Sequence, residues 1–203
     1  MQTYTHFLLA AVLRRHLKKK GSDPGNAFLA GSVAPDVPLT LLSLGYVVDR
    51  RYIRPELPDK TRCSPTYNFL YYNNPWWITT YNFVHAPLPI FTYWLIGRWG
   101  QKQQKSWGEP LTWFALGLGS HALADVFTHA DDGPLLLYPL EWHARFSAPV
   151  SYWDEKHGAR WFRLVEHLFV ALAALFLWLT RDQKTQLNRK RRKGRKENGR
   201  RKT

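Results

Sequence analysis

Four apolar stretches, separated by charged or Pro/Gly-rich segments, dominate the chain: Ala27 to Val48, Trp76 to Ile96, Leu111 to Ala130 and Leu164 to Thr180. A fifth, shorter piece from Thr5 to Leu17 places Leu8, Leu9, Val12 and Leu13 at helical spacing, and Lys18-Lys19-Lys20-Gly21 suits a helix end. Period-2 alternation never runs far, and hairpin turn pairs are absent. The pattern predicts an all-α fold, a bundle of about five main helices over residues 1–180. A disordered basic tail is expected over 181–203.

The 76–96 and 111–130 stretches lack Lys, Arg and Glu and are about long enough to cross a bilayer, whereas Glu166 and His167 interrupt the last. With a cytoplasmic tail and four crossings, loops 98–110 and 131–160 obey the positive-inside rule. The 49–75 loop, with Arg50, Arg51, Arg54, Lys60 and Arg62, does not. The mean hydropathy of −0.39 is also low for a four-span protein. Membrane association is expected, with spanning left open. Trp76, Trp77, Trp94 and Trp99 bracket one apolar stretch and Trp161 and Trp178 another, which suits either a membrane interface or core packing.

Charge changes the picture less than its total suggests. The net charge is +14, but the segment after Thr180 carries twelve Lys/Arg against Asp182 and Glu197. The tail is therefore read as a solvated, membrane-facing or nucleic-acid-contacting appendage. A single cysteine, Cys63, excludes an internal disulfide and a thiolate zinc cluster, so any metal must use His and carboxylate.

The strongest chemical signal is Gly119-Ser120-His121-x3-Asp125-x3-His129. Residues four apart drift by only about 40° around a helix, so the three polar heads form one stripe. Imidazole and carboxylate at i and i+4 can share a divalent ion, or form a buried pair. His129 can join them or cap the helix end. Asp36, between Pro35 and Val37-Pro38, is a carboxylate in apolar sequence, read as a ligand or as an N-cap. His85 and His6 are ambiguous alone. Together with His121 and Asp125 they form a set that a bundle can turn toward one cation, and the imidazole content points to Zn²⁺. Asp36 or Asp132 would then take a proton from water. Asp154 and His157 are either outer ligands or loop surface.

At these residues the chain resembles the predicted membrane-bound metal-dependent hydrolases, a bacterial family distantly similar to zinc-dependent phospholipase C. The resemblance covers about residues 4–155 and is carried by Thr5-His6, Gly31…Pro35-Asp36, His85, the HxxxD element and Leu137-Tyr138-Pro139-Leu140…Arg145-Phe146-Ser147. It implies an all-α metal site, Zn²⁺, and hydrolysis of a phosphoester or lipid-like substrate. The implied location is a bacterial inner membrane with the tail in the cytoplasm, or the cytoplasm as the alternative. Thr80 stands where members often carry a second histidine, and Met1-Gln2 does not match the amino-terminal Trp of phospholipase C. The competing function is a non-catalytic membrane scaffold whose tail binds nucleic acid or anionic lipid.

Overall fold

Proline and its capping partners set several helix starts. Pro65 opens one helix behind Ser64, whose hydroxyl accepts the Tyr67 amide at 3.3 Å, and Pro75 opens the next behind Asn74, whose carbonyl accepts the Trp76 and Trp77 amides. Pro87 opens a third. The computed structural model describes residues 1–61 and 64–200, with side chains up to Thr180.

Among the described residues the fold is all-α, as expected, with eight α-helices: α1 (Thr3–Lys19), α2 (Gly25–Gly31), α3 (Asp36–Val48), α4 (Pro65–Asn73), α5 (Pro75–Asn82), α6 (Pro87–Lys102), α7 (Gly108–Val126) and α8 (Ala159–Arg200). The number exceeds five because two apolar stretches are each broken and α4 forms in the segment between them, where no helix is expected from the sequence. The 27–48 stretch turns at Ser32–Pro35 between α2 and α3, and the 76–96 stretch turns after Asn82 before Pro87. A π turn, Asp49–Ile53, continues α3. The backbone of α8 enters the basic stretch, but the side chains of 181–200 and residues 201–203 lie outside the described part, and the expectation of a disordered tail with them.

α7 is the central helix, packed against α6, α2 and α1. Its inner face buries Leu118 and Ala122 against Ile90 of α6, with Ala34, Val84, Tyr93 and Phe114 around them. α2 crosses α7 at backbone contact. A Cβ on Gly31 would lie 2.1 Å from the Phe114 carbonyl oxygen, and one on Gly117 would lie 2.3 Å from that of Phe28. Only glycine permits this crossing. The loop after α7 is tied back through Asn82, which is fully buried: its amide donates to the Ile78 carbonyl and its carbonyl accepts the Leu135 amide, both at 2.9 Å.

One helical segment, Ala159–Thr180, is long and apolar enough to cross a membrane, and only 11% of its apolar window is buried in the protein. α2 with α3 qualifies only as a pair bent by 44°. The 76–96 stretch is two helices, and α7, which carries most of the 111–130 stretch, is the centre of the bundle rather than a lipid-facing span.

Candidate metal centre

The close α2–α7 crossing fixes the first contact of the site. It brings the Ser32 carbonyl 2.7 Å from Nδ1 of His121, which donates to it and leaves Nε2 facing inward. His121 and Asp125, one turn apart on α7, are both buried, and Nε2 of His121 lies 3.1 Å from Oδ2 of Asp125.

Three further elements converge on the same carboxylate. From α1, Nε2 of His6 lies 3.0 Å from Asp125 Oδ1, and the His6 ring stacks on His121 at 3.6 Å. From the turn between α5 and α6, His85, fully buried, places Nε2 3.1 Å from Asp125 Oδ2. From the start of α3, Asp36 Oδ1 lies 3.5 Å from His121 Nε2. The amine of Met1 also donates to Asp125 Oδ1 at 2.9 Å. The structure thus brings His6, Asp36, His85, His121 and Asp125 together.

Beside the bonds that His85 and Met1 make to Asp125, the geometry leaves room for a shared cation. Nε2 of His6 and of His121 lie within ion-pair distance of oxygen, yet neither has hydrogen-bond geometry to any partner. One ligand atom from each of His6, His121 and Asp125 lies within 4.8 Å of the others. Donor atoms that approach closely without bonding one another are arranged around a shared point. Buried polar atoms left unpaired are costly, and a common cation satisfies them together. The set of imidazoles and carboxylates fits Zn²⁺.

Electrostatics agree. Burial pushes the imidazoles of His6 down and of His85 down to about 4, against the pull of Asp125, so both rest neutral and ready to ligate. Burial also opposes charge on His121, but Asp125 and Asp36 overcome it and push its pKa up to about 9. Burial likewise disfavours the Asp125 carboxylate, yet His129, His121, His6 and His85 hold it well below the usual range. Asp36 is lowered too, the nearby His121 and the bond from Thr3 outweighing burial.

The remaining candidates fall in different places. α7 stops at Val126, so His129 lies beyond the helix; its Nδ1 donates to the Asp125 carbonyl at 3.0 Å and is 3.7 Å from Oδ1. It caps the helix and stays beside the cluster. Asp36 is not the cap of a helix starting at Val37: α3 begins at Asp36 itself, and its carboxylate accepts the Thr3 hydroxyl at 2.5 Å. Asp132 accepts Trp153 Nε1 at 2.8 Å through Oδ2 and keeps Oδ1 unpaired and buried. Asp154 and His157 pair with each other at 2.7 Å, and neither lines the cleft described next.

A cleft of about 570 Å³ opens above the cluster, with Asp36, Asp125, His129, Asp131 and Asp132 on its wall. Tyr67, Tyr71, Tyr72, Tyr81, Tyr152 and Trp153 supply an aromatic lining. Burial, then nearby Tyr71 and Asp125, raise Tyr81; burial, then Asp132, raise Tyr152, so both phenols stay protonated donors. These tyrosines carried no sequence signal, being scattered among many aromatics. Glu166 was also missed. It is buried, and its Oε1 accepts the Gln2 amide at 2.8 Å while Oε2 is unpaired. An isolated acid in an apolar helix was its signal.

Comparison with curated proteins and with solved structures finds no match. The model of the family described as zinc-dependent phospholipase C matches residues 5–200, which includes α2 to α7 whole and every residue of the cluster. A match over nearly the whole chain, joined to a buried His/Asp cluster suited to Zn²⁺, means that the chain belongs to the zinc-dependent phospholipase C family.

Proposed function

We propose that the protein hydrolyses the phosphodiester of a phospholipid at a membrane. The observation that carries this reading is the pair of inward-facing, unbonded Nε2 atoms of His6 and His121 on Asp125, beneath a cleft wide enough for a lipid headgroup. His6, His121 and Asp125 would hold zinc, with His85, Asp36 and His129 completing its surroundings. When bound, zinc supplies the Lewis acidity that makes a phosphodiester electrophilic and water acidic near neutral pH.

The chain's own groups divide the remaining work. Asp36 is bonded to Thr3 and faces His121 at 3.5 Å, whereas Asp132 has an unpaired Oδ1 on the cleft wall, so Asp132 is the better placed acceptor of a water proton. Tyr81 and Tyr152, held protonated, donate to phosphoryl oxygens as charge grows there. Ser32 holds His121 in the tautomer that ligates.

Ala159–Thr180 supplies the attachment. Its 22 residues span about 33 Å as a helix, near the ~30 Å of a bilayer core. Trp161 and Trp178, exposed at 72% and 64%, mark its two ends. The basic run that follows in sequence suits an anionic leaflet.

The experiment is metal analysis of purified protein beside hydrolysis of phospholipid vesicles, with diacylglycerol and phosphorylated headgroup as products. Wild type is expected to carry zinc and release both; His121→Ala is expected to lose both properties. Equal zinc in the two proteins would overturn the ligand assignment.

A further inference from the structure

α3 presents two faces with opposite chemistry. At about 100° per residue, Val37, Leu41, Leu44 and Val48 fall within an arc of about 60°. All four are exposed, Leu41 at 63% and Leu44 at 57%. The π turn continues the apolar exposure with Tyr52 and Ile53. On the other flank Asp36, Leu39, Thr40 and Ser43 line the cleft, and Ser43 and Tyr46 are buried. Thr40 belongs to both, exposed and on the cleft wall. The apolar stripe therefore runs along the lip of the metal cleft.

This stripe does not belong to a transmembrane span. α3 has 13 residues, about 20 Å of helix, and cannot cross a bilayer core alone. α2 cannot supply the other half, because Phe28 is buried and Gly31 is pressed onto Phe114 and Gly117 of α7. A helix with one side in the bundle and an apolar stripe outward instead lies in the plane of a bilayer interface. Its far end carries the matching charge. Arg51 and Arg54 are exposed there and Arg50 lies mostly buried over the Tyr46 ring, three guanidinium groups against Asp49 and Glu56; Arg54 grips Asp49 with two bonds of 2.9 and 2.6 Å. An excess of guanidinium beside Tyr52 and Ile53 selects an anionic lipid surface. α6 also exposes Phe91, Leu95 and Trp99, but none of them lines the cleft.

We propose that the outer face of α3 is the lipid-docking surface: Val37, Leu41, Leu44, Val48 and Tyr52 lie in the headgroup–acyl boundary of an anionic bilayer, and a lipid headgroup reaches the cleft past Thr40. The inference deepens the hydrolase reading and rests on it for what happens in the cleft, but not for the docking itself.

The test reads contact, not turnover. The full chain carrying Cys63→Ser and either Leu41→Cys or Leu44→Cys is labelled with an environment-sensitive fluorophore and placed in nanodiscs of phosphatidylcholine with about one-third phosphatidylglycerol. Both positions are exposed, so the label replaces no packing contact, and circular dichroism checks the fold. Spin-labelled lipid is expected to quench both labels by more than about half, and a label at Lys105→Cys by less than about a tenth. Arg51→Gln, at an exposed guanidinium, is expected to weaken the quenching at position 44. Labels at 41 and 44 quenched no more than the one at 105 would overturn the proposal. So would label–label self-quenching that grows with protein concentration without lipid quenching, since a second copy would then be the occupant. A protein that docks but turns over no lipid would refute the hydrolase reading and leave the docking surface standing.

Discussion

The imidazole rings of His6 and His121 stack with centroids 3.6 Å apart and planes 12° from parallel, each turning Nε2 toward a different oxygen of Asp125. Two stacked rings this close repel if both are charged, and each lowers the other's affinity for a proton. A cation held by His6, His121 and Asp125 would satisfy both rings without a proton on either Nε2. Removing either ring should therefore cost more zinc affinity than the roughly 10–100-fold typical of outer-sphere changes. Metal content after dialysis against a weak chelator should fall to near zero in His6→Ala and His121→Ala. Circular dichroism should show the helices retained.

Gly117 governs the site without touching it. A Cβ there would meet the Phe28 carbonyl oxygen at 2.3 Å and the Gly31 Cα at 2.9 Å, all backbone atoms that cannot step aside singly. Gly117→Ala should push α2 from α7, draw the Ser32 carbonyl off His121, and destabilise the fold by about 1–3 kcal/mol. Gly45→Ala, at a helical glycine with open space around it, should stabilise by about 0.4–1 kcal/mol. Thermal unfolding and zinc titration of both variants check the contrast. A Gly117→Ala protein with unchanged zinc affinity would separate the helix crossing from the metal site.

The sequence revealed this centre unevenly, for physical reasons. His121 and Asp125 were legible because polar heads one helical turn apart stand out in an apolar run. The helical stripe does not reach His129, because α7 ends at Val126 and periodicity says nothing about termination, yet His129 still lies buried 3.7 Å from Asp125 Oδ1. The break after Asn82 is hidden inside a charge-free stretch, although Pro87 two residues beyond His85 favours a new helix start there. Gly117 gave no sign, since a glycine in an apolar run reads alike whether it meets open space or another backbone. In the sequence Glu166 reads as an interruption of an apolar run; its burial under the chain's first residues depends on how α8 packs against α1, which no local pattern encodes.

The metal-free protein should show a stability maximum near the ordinary histidine pKa of about 6.5. Below it, His85, lowered to about 4, and His6, also lowered, bind fewer protons folded than unfolded, so stability rises with pH. Above it, His121, raised to about 9, binds more protons folded than unfolded. Its contribution is fully present below about pH 6.5 and is lost as pH climbs through about 9. Zinc must displace the His121 proton, so added zinc should abolish the alkaline decline, and apparent zinc affinity should rise by up to about tenfold per pH unit from about 6.5 to 9. Thermal unfolding across this range, with chelator and with zinc, measures both slopes. An alkaline decline unaffected by zinc would show that His121 is not a ligand.

Glu166 should matter to the metal centre through an acceptor atom rather than a charge. Its buried Oε1 holds the Gln2 amide just before α1, the helix that carries His6, while α8 packs along α1. Glu166→Leu makes the α8 apolar run continuous but leaves the Gln2 amide without its partner, at a cost of about 1–3 kcal/mol. In a domain of this size that is a fall in Tm of roughly 2–12 °C. The start of α1 would loosen and zinc retention would drop with it. Glu166→Gln keeps an oxygen in place and should retain wild-type Tm and zinc content. Unfolding curves and metal analysis of the two variants decide the matter: if Glu166→Gln loses zinc as completely as Glu166→Leu, the carboxylate charge itself acts on the cluster.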